Sequence, residues 1–471
     1  MINLIRDLDN MVFRKYASDS VGVDSYAEAY AQYYVSKRKR NASLKDACNV
    51  FDSGYELRNK SGVLVNDLSV IAQKGVMVDI KKVNGEKYTC INLATNSYND
   101  LDLAETPRKE LAEYVRNESL SSCLSRKIAG SLPIHKKLEA EIADFMGYES
   151  CVLATCGYIA QQAVMTALFH DGDVIFSDQH NHSSLVDGMA ISKAKVIVYP
   201  HLNYEKLEEL VKKYRGGYNA AGIVSDGVFS AHGTLANLER IDQIKNKFNL
   251  MSVVDDTHGF LTVGDKGRGC IDFFSKKPDV VTSSLAKGLA GFGGMIVGSQ
   301  AVIRAIDCHG RQNVNTSHLS PVVAAQSYFN LIDYRTHFIE YRKELFSLLT
   351  DFNNKLGELG IRQYPDADTY IHPIFSFEGD DEAKVLRVYQ DLLECGFMGA
   401  MFPVPVAPNP TIRLSLHRSV DPKSLNLLAE KLKEHGMQPL TKKFWPNLHA
   451  LKKHSQVELV ELVELVKEEC A

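Results

Sequence analysis

The stretch Asp279-Val-Val-Thr-Ser-Ser-Leu-Ala-Lys-Gly-Leu-Ala-Gly-Phe-Gly-Gly294 sets a lysine where its amine could act as a nucleophile. Val280 and Val281 read as the end of a buried strand, and the glycines after Lys287 let backbone approach a ligand closely. A lysine held in a dry site has a lowered pKa, and its free amine suits Schiff-base formation with an aldehyde. The same pattern also fits a surface lysine after a core strand. Other parts of the chain must therefore converge on Lys287 for the chemistry to follow.

Residues at other strand ends supply candidates. Cys156-Gly157-Tyr158 opens a helix after an apolar run, and free amides at a helix start suit a phosphate, although most such joints bind nothing. Ser284, three residues before Lys287, could add a hydroxyl to the same group. In Ser177-Asp-Gln-His-Asn-His-Ser-Ser184, His182 either caps the next helix or projects its ring over a ligand. Two close histidines also raise the question of a metal, but no carboxylate or thiol stands at ligand spacing, so no metal is expected. Asp255, in Val254-Asp-Asp-Thr-His-Gly259, ends an apolar run. A buried carboxylate needs a cationic partner. A protonated pyridine nitrogen is such a partner, and the pair makes the ring an electron sink for a carbanion. Asp255 precedes Lys287 by 32 positions, a strand–helix–strand distance, so both can border one ring.

The elements that must position these residues alternate. Helices are expected over about 105–118, 135–146, 158–170, 183–193 and 204–214, with strands at 151–155, 173–177, 195–199, 221–225, 251–254, 280–282 and 295–298. Strands alternating with helices of this size imply an α/β fold with a mainly parallel sheet covered on both faces. Ligands bind such sheets at the carboxyl ends of the strands. A long helix runs over 321–358, and then 371–377, 382–395, 412–416 and 421–434 read as a smaller α+β domain. Asn84-Gly85 between two apolar runs marks a β-hairpin at 77–94, leading into the main domain. Residues 26–35 could be helical, Lys37-Arg-Lys-Arg40 reads as a solvated helix end, and Val457-Glu-Leu-Val-Glu-Leu-Val-Glu-Leu-Val466 reads as a terminal amphipathic helix. The division is 1–90 as an N-terminal extension, 91–355 as the large domain, 356–445 as the small domain and 446–471 as the terminal helix.

Composition narrows the function classes. With 471 residues, 45% hydrophobic, 24% charged and a formal net charge of -4, the chain has no basic excess that would argue for nucleic acid. There is no run of eighteen or so apolar residues for a transmembrane helix and no apolar core for a signal peptide, so a cytoplasmic protein is expected. Nine cysteines without CxxC spacing read as reduced thiols rather than as a metal site.

Taken together, Asp226-Gly-Val-Phe-Ser-Ala-His-Gly-Thr-Leu-Ala-Asn-Leu238, Asn181-His-Ser-Ser-Leu-Val-Asp-Gly188, Val254-Asp-Asp-Thr-His-Gly259 with Gly264-Asp-Lys-Gly-Arg-Gly269, and Ser284-Leu-Ala-Lys-Gly288 resemble the α-oxoamine synthases. These are fold-type I pyridoxal-phosphate enzymes, and the likeness covers about residues 90–440. Ser-Leu-Ala-Lys followed by Gly-Leu-Ala-Gly also resembles the branch that makes α-hydroxyketone autoinducers. The resemblance implies Lys287 as the Schiff-base lysine, Asp255 on the pyridine nitrogen and His258 on the ring hydroxyl. It implies His182 stacked on the ring and aiding proton transfer, Ser230 at the cofactor's polar edge, and Gly157, Tyr158 and Ser284 on the phosphate. Thr316, in Asn313-Val-Asn-Thr-Ser317, falls where the family supplies a phosphate contact from a second subunit, which implies a homodimer. Arg413, in Thr411-Ile-Arg-Leu-Ser415, matches an arginine that clamps the amino-acid carboxylate, and Asn96 an asparagine beside it.

The implied reaction is a decarboxylative condensation of an amino acid with an acyl thioester, on CoA or an acyl-carrier protein, to give an α-aminoketone. A fold-type I aminotransferase is the alternative, sharing Lys287, Asp255 and Arg413 but needing no thioester. The chain departs from the family pattern at three places. Ser121-Ser-Cys-Leu-Ser-Arg126 replaces a glycine-rich run, His232 stands at a usual aspartate, and the front extension has no counterpart in short members.

Overall fold

The computed structural model describes residues 68–364, 370–379, 381–402 and 409–439, together with 43–46, 48, 49 and 52. The expected helix at 26–35, the basic run at 37–40 and the terminal helix at 457–466 lie outside the described residues.

The chain enters through β1 (Ser69–Lys74), β2 (Met77–Lys81) and β3 (Lys87–Asn92), then α1 (Glu105–Asn117) and α2 (Pro133–Met146). The α/β body follows as β4 (Ser150–Ala154), α3 (Gly157–Leu168), β5 (Val174–Asp178), α4 (Ser183–Ser192), β6 (Lys195–Tyr199), α5 (Tyr204–Tyr214), β7 (Ala221–Asp226), α6 (Leu238–Phe248), β8 (Met251–Asp255), β9 (Val280–Ser284), β10 (Gly294–Gly298) and α7 (Gln300–His309). The helix α8 (Pro321–Glu358) leads to β11 (Ile374–Glu378), α9 (Glu382–Glu394), β12 (Phe397–Met398), β13 (Ala400–Phe402), β14 (Thr411–Ser415), α10 (Pro422–Glu434) and β15 (Gln438–Pro439).

Seven strands form the main sheet in the order β4-β10-β9-β8-β7-β5-β6. Only β10 runs against its neighbours; β9, β8, β7, β5 and β6 pair in parallel. Alternate residues of each strand enter opposite cores, as the two-residue period of a strand requires. Leu153, Phe176, Val281 and Met295 join one core, while Val152, Ile175, Val280 and Ile296 join the other. Covering both faces leaves β7 buried along its whole length, so its polar Ser225 and Asp226 are carried into dry surroundings.

The β-hairpin forms with Asn84-Gly85 at its turn, but its apolar face packs away from the main sheet. Val78 and Ile80 enter a core made by α9, α10 and the second half of α8, and β3 pairs in parallel with β12. Burying each of those side chains contributes about 1.5–3 kcal/mol, which the solvated face of an isolated hairpin could not supply. The small sheet β13-β14-β11-β15 completes this second core. The 38-residue helix α8 joins the two cores: Ala324, Leu331 and Tyr334 pack against the first, Leu345, Leu349 and Phe352 against the second. No helix among the described residues is long and apolar enough to cross a membrane.

Candidate active site

Three buried strand ends and one strand of the small sheet bring the candidate residues together. Asp255 ends β8, directly across from Asp226 at the end of β7. Two carboxylates side by side in a dry site cannot both ionise easily. Burial drives Asp226 well above the ordinary carboxylate range, and the neighbouring Asp255 pushes it the same way. Burial also raises Asp255, but its bonds from Thr257 oppose the rise, as do the nearby His182 and Lys287. Thr257 donates to Oδ1 of Asp255 through its hydroxyl at 2.6 Å and its backbone N–H at 3.1 Å. Asp255 is therefore the better carboxylate for a cationic ring nitrogen.

Lys287 follows β9. Its amine lies 2.6 Å from Nε2 of His258, and Nδ1 of His258 lies 2.7 Å from the Tyr98 hydroxyl. The Tyr98 hydroxyl in turn donates to Oδ1 of Asn96 at 3.2 Å. Burial depresses Lys287 to about 8, opposed by Asp255 and reinforced by Arg413. His258 is pushed well below its ordinary value by burial and by the Lys287 and Arg413 cations, so its ring is neutral. A neutral ring that accepts from the lysine at Nε2 must donate from Nδ1 to Tyr98. The relay thus runs from Lys287 through His258 and Tyr98 to Asn96.

Arg413, from β14, reaches the same place across the two cores. It donates to the Ser230 carbonyl at 3.0 Å and, more weakly, to Oδ1 of Asn96 at 3.4 Å, with Phe402 under its guanidinium at 5.1 Å. Its Nε is buried without a partner, and among the described residues no carboxylate pairs with it. A buried guanidinium without a counter-ion is costly and suits an anionic ligand. Ser230 thus joins the site through its backbone oxygen.

The N-terminus of α3 is pressed against the end of β9. A side chain on Gly157 would place its Cβ 2.7 Å from Cβ of Ser284, so only glycine permits this approach. The amide of Ser284 donates to the Thr257 hydroxyl at 2.8 Å, which ties this corner to Asp255. His182 caps α4, receiving the Ser184 N–H at 3.3 Å and meeting the Ser184 hydroxyl at 2.7 Å. The Tyr158 ring stands edge-on to it at 6.4 Å, and its hydroxyl bonds to Asp187. Among the described residues Thr316 is hydrogen-bonded to none of this group; it lies beside Ser317, which bridges to Ser125.

Lys287, His258, Asp255, His182, Ser284, Gly157, Arg413, Asn96 and Ser230 thus share one set of contacts and electrostatic couplings. The geometry suits pyridoxal phosphate: an amine for its aldehyde, a buried carboxylate for its ring nitrogen, and the first backbone amides of α3 beside the Ser284 hydroxyl for its phosphate. The sequence motifs do not single out Tyr98, Asp226 or Thr257. Asp226 and Thr257 lie inside the motifs quoted above and Tyr98 two residues after Asn96, but only packing shows that Tyr98 touches His258 and that Asp226 faces Asp255.

A family model described as aminotransferase class I and II matches residues 88–432. The 8-amino-7-oxononanoate synthase of Treponema denticola is 32% identical over 336 residues, spanning 70% of this chain and 83% of that protein. The chain is an α-oxoamine synthase of the aminotransferase class I and II family. Serine palmitoyltransferase from Sphingomonas wittichii superposes with a TM-score of 0.76 at 21% identity, covering 83% of this chain and 98% of that one. The 8-amino-7-oxononanoate synthase of Francisella tularensis does so with a TM-score of 0.63 at 22% identity, covering 74% and 98%. Both likenesses establish the fold-type I architecture. As an α-oxoamine synthase the chain is a pyridoxal-phosphate-dependent acyltransferase that condenses an amino acid with an acyl thioester, with loss of CO2.

Proposed function

We propose that this α-oxoamine synthase works in the cluster around Lys287, with each side chain in a separate role. With pyridoxal phosphate bound, Lys287 would hold its aldehyde, Asp255 would pair with the pyridine nitrogen, His258 would meet the ring hydroxyl and His182 the ring face. Gly157, Tyr158 and Ser284 hold the phosphate, and Ser230 lies at the polar edge. When bound, pyridoxal phosphate supplies the electron sink for the carbanion formed at the amino-acid α-carbon.

The chain's own residues do the rest. Arg413 and Asn96 would grip the amino-acid carboxylate, a two-point contact that fixes the orientation of the α-carbon. The Lys287 amine stands where it could take the α-proton, because burial lowers it to about 8 and eases loss of its own proton. The neutral His258 beside it accepts a hydrogen bond without competing for that proton. The proposed assembly is a cytoplasmic homodimer in which Thr316 of a second copy completes the phosphate site, and the thioester arrives on CoA or an acyl-carrier protein.

The observation that carries this reading is the buried, carboxylate-free guanidinium of Arg413 linked through Asn96, Tyr98 and His258 to the depressed amine of Lys287. Reconstituted enzyme given single amino acids and acyl-CoAs of graded chain length should release thiol and CO2 in equal amounts. Amino-group exchange with keto acids and no thiol release would contradict the proposal.

A further inference from the structure

The loops after β5, β6 and β7 carry three histidines that the reaction does not use. In the sheet β5 lies between β6 and β7, so residues distant in sequence meet at one edge of the strand ends. His180 follows β5, His201 follows β6, and His232 lies in the loop after β7. The His180 and His201 rings stack with centroids 4.2 Å apart, and His232 lies 5.2 Å from the first and 4.9 Å from the second. One ring nitrogen from each falls within 4.8 Å of the other two.

The hydrogen bonds fix which nitrogens face inward. Oδ1 of Asp178 lies 2.9 Å from Nδ1 of His201, which makes that nitrogen the N–H and leaves Nε2 with its lone pair. Nε2 of His201 and Nδ1 of His232 lie 3.1 and 2.7 Å from the one Thr234 hydroxyl. That hydroxyl has one proton to give; if His201 receives it, His232 donates from Nδ1 and its Nε2 lone pair faces Nδ1 of His180, 3.0 Å away. A carboxylate behind one imidazole is the usual outer support of a histidine metal ligand. Two nitrogens bound at about 2.0–2.1 Å in tetrahedral geometry stand about 3.3 Å apart, so a small displacement separates this pair from a ligating one.

We propose that His180, His201 and His232 form a second site, separate from the Lys287 cluster, that binds one divalent late first-row metal ion of the zinc type. Three neutral imidazoles with a water as fourth ligand satisfy such an ion. Binding exchanges the His180–His232 and Thr234–His201 hydrogen bonds for three metal–nitrogen bonds, and the proton on Nδ1 of His180 passes to its own Nε2, so the ring stays neutral. The ion cross-links the loops after β5, β6 and β7 and braces the turn that leads, two residues after His180, into His182.

The test uses the full-length holoenzyme, stripped with a chelator, incubated with zinc chloride and dialysed. The expected result is one zinc ion retained per chain, a raised Tm, and loss of both effects in His180→Gln and in His232→Asn. Cobalt(II) in the wild-type protein serves as a check that needs no variant. It should give the d–d bands of a tetrahedral nitrogen–oxygen set without a thiolate charge-transfer band. Failure of the wild type to retain metal, retention unchanged in a folded variant, or a thiolate band from the exposed Cys123, Cys308 or Cys395 would each overturn the proposal.

Discussion

The Lys287 amine lies 2.6 Å from Nε2 of His258, and burial moves both groups in the direction that removes charge. The pair is a neutral acceptor beside a weakened cation. That relationship makes the lysine available as an amine near neutral pH, and it leads to a pH dependence that can be measured in the cofactor-free protein.

Lys287 titrates at about 8 when folded, against an ordinary lysine value of 10.5. Below pH 8 both folded and unfolded chains carry the proton, and the folded state bears the full cost of the buried ammonium. Between about 8 and 10.5 the unfolded chain binds more protons than the folded one, so this group's contribution to stability rises with pH. The difference in unfolding free energy between wild type and Lys287→Met should therefore climb across that window by up to about 1.4 kcal/mol per pH unit. Urea unfolding at several pH values measures it, and a flat difference would show that Lys287 is not buried as described.

Asp255 and Asp226 face each other at the ends of β8 and β7 but differ in charge. Asp226, driven far up by burial and by Asp255, is already neutral, so Asp226→Asn changes little and should leave kcat within roughly threefold. Asp255→Asn removes the charge that the pyridine nitrogen needs and should lower kcat by on the order of 10²-fold or more. Equal losses in the two variants would show that the wrong carboxylate has been assigned to the ring.

Arg413→Lys keeps a positive charge but loses the two-pronged grip on a carboxylate. KM for the amino acid should rise by roughly 10–100-fold, from about 1.5–3 kcal/mol of lost charged hydrogen bonding. KM for the thioester should stay nearly constant. If the thioester KM moved instead, Arg413 would belong to the acyl side of the site.

Gly157→Ala tests the phosphate corner by packing alone. The added carbon meets Ser284 Cβ at 2.7 Å, so α3 and the end of β9 must separate. Overpacking of this kind costs about 1–3 kcal/mol. Thermal unfolding should show that loss, and the affinity for pyridoxal phosphate should fall with it. An unchanged Tm and unchanged affinity would place the corner elsewhere.

Much of this site was legible in the sequence because its residues sit at strand ends, and strands announce themselves through local apolar runs. That alternation and the rule for parallel sheets put Asp255, Lys287 and His182 at strand ends, while their roles came only from the resemblance. The reach of Arg413 to Ser230 and Asn96 depends on how two cores dock, which no local pattern encodes. The same holds for β3, whose parallel partner β12 lies some 300 residues away and draws the hairpin into the second core. The three histidines at 180, 201 and 232 show the limit most clearly. Their spacing matches no metal motif, and only the strand order brings them together. Buried pairs such as Tyr98 with His258 were hidden for a related reason: a tyrosine in a polar motif does not reveal what it packs against.

The central claim is that Lys287 carries the cofactor. Borohydride reduction of the reconstituted holoenzyme, followed by proteolysis and mass spectrometry, tests it directly, because reduction fixes a pyridoxyl group on whichever lysine holds the aldehyde. A single labelled peptide containing Lys287 is expected, with no label in the Lys287→Ala variant. A pyridoxyl group on any other lysine of the wild-type chain, or on none, would contradict it.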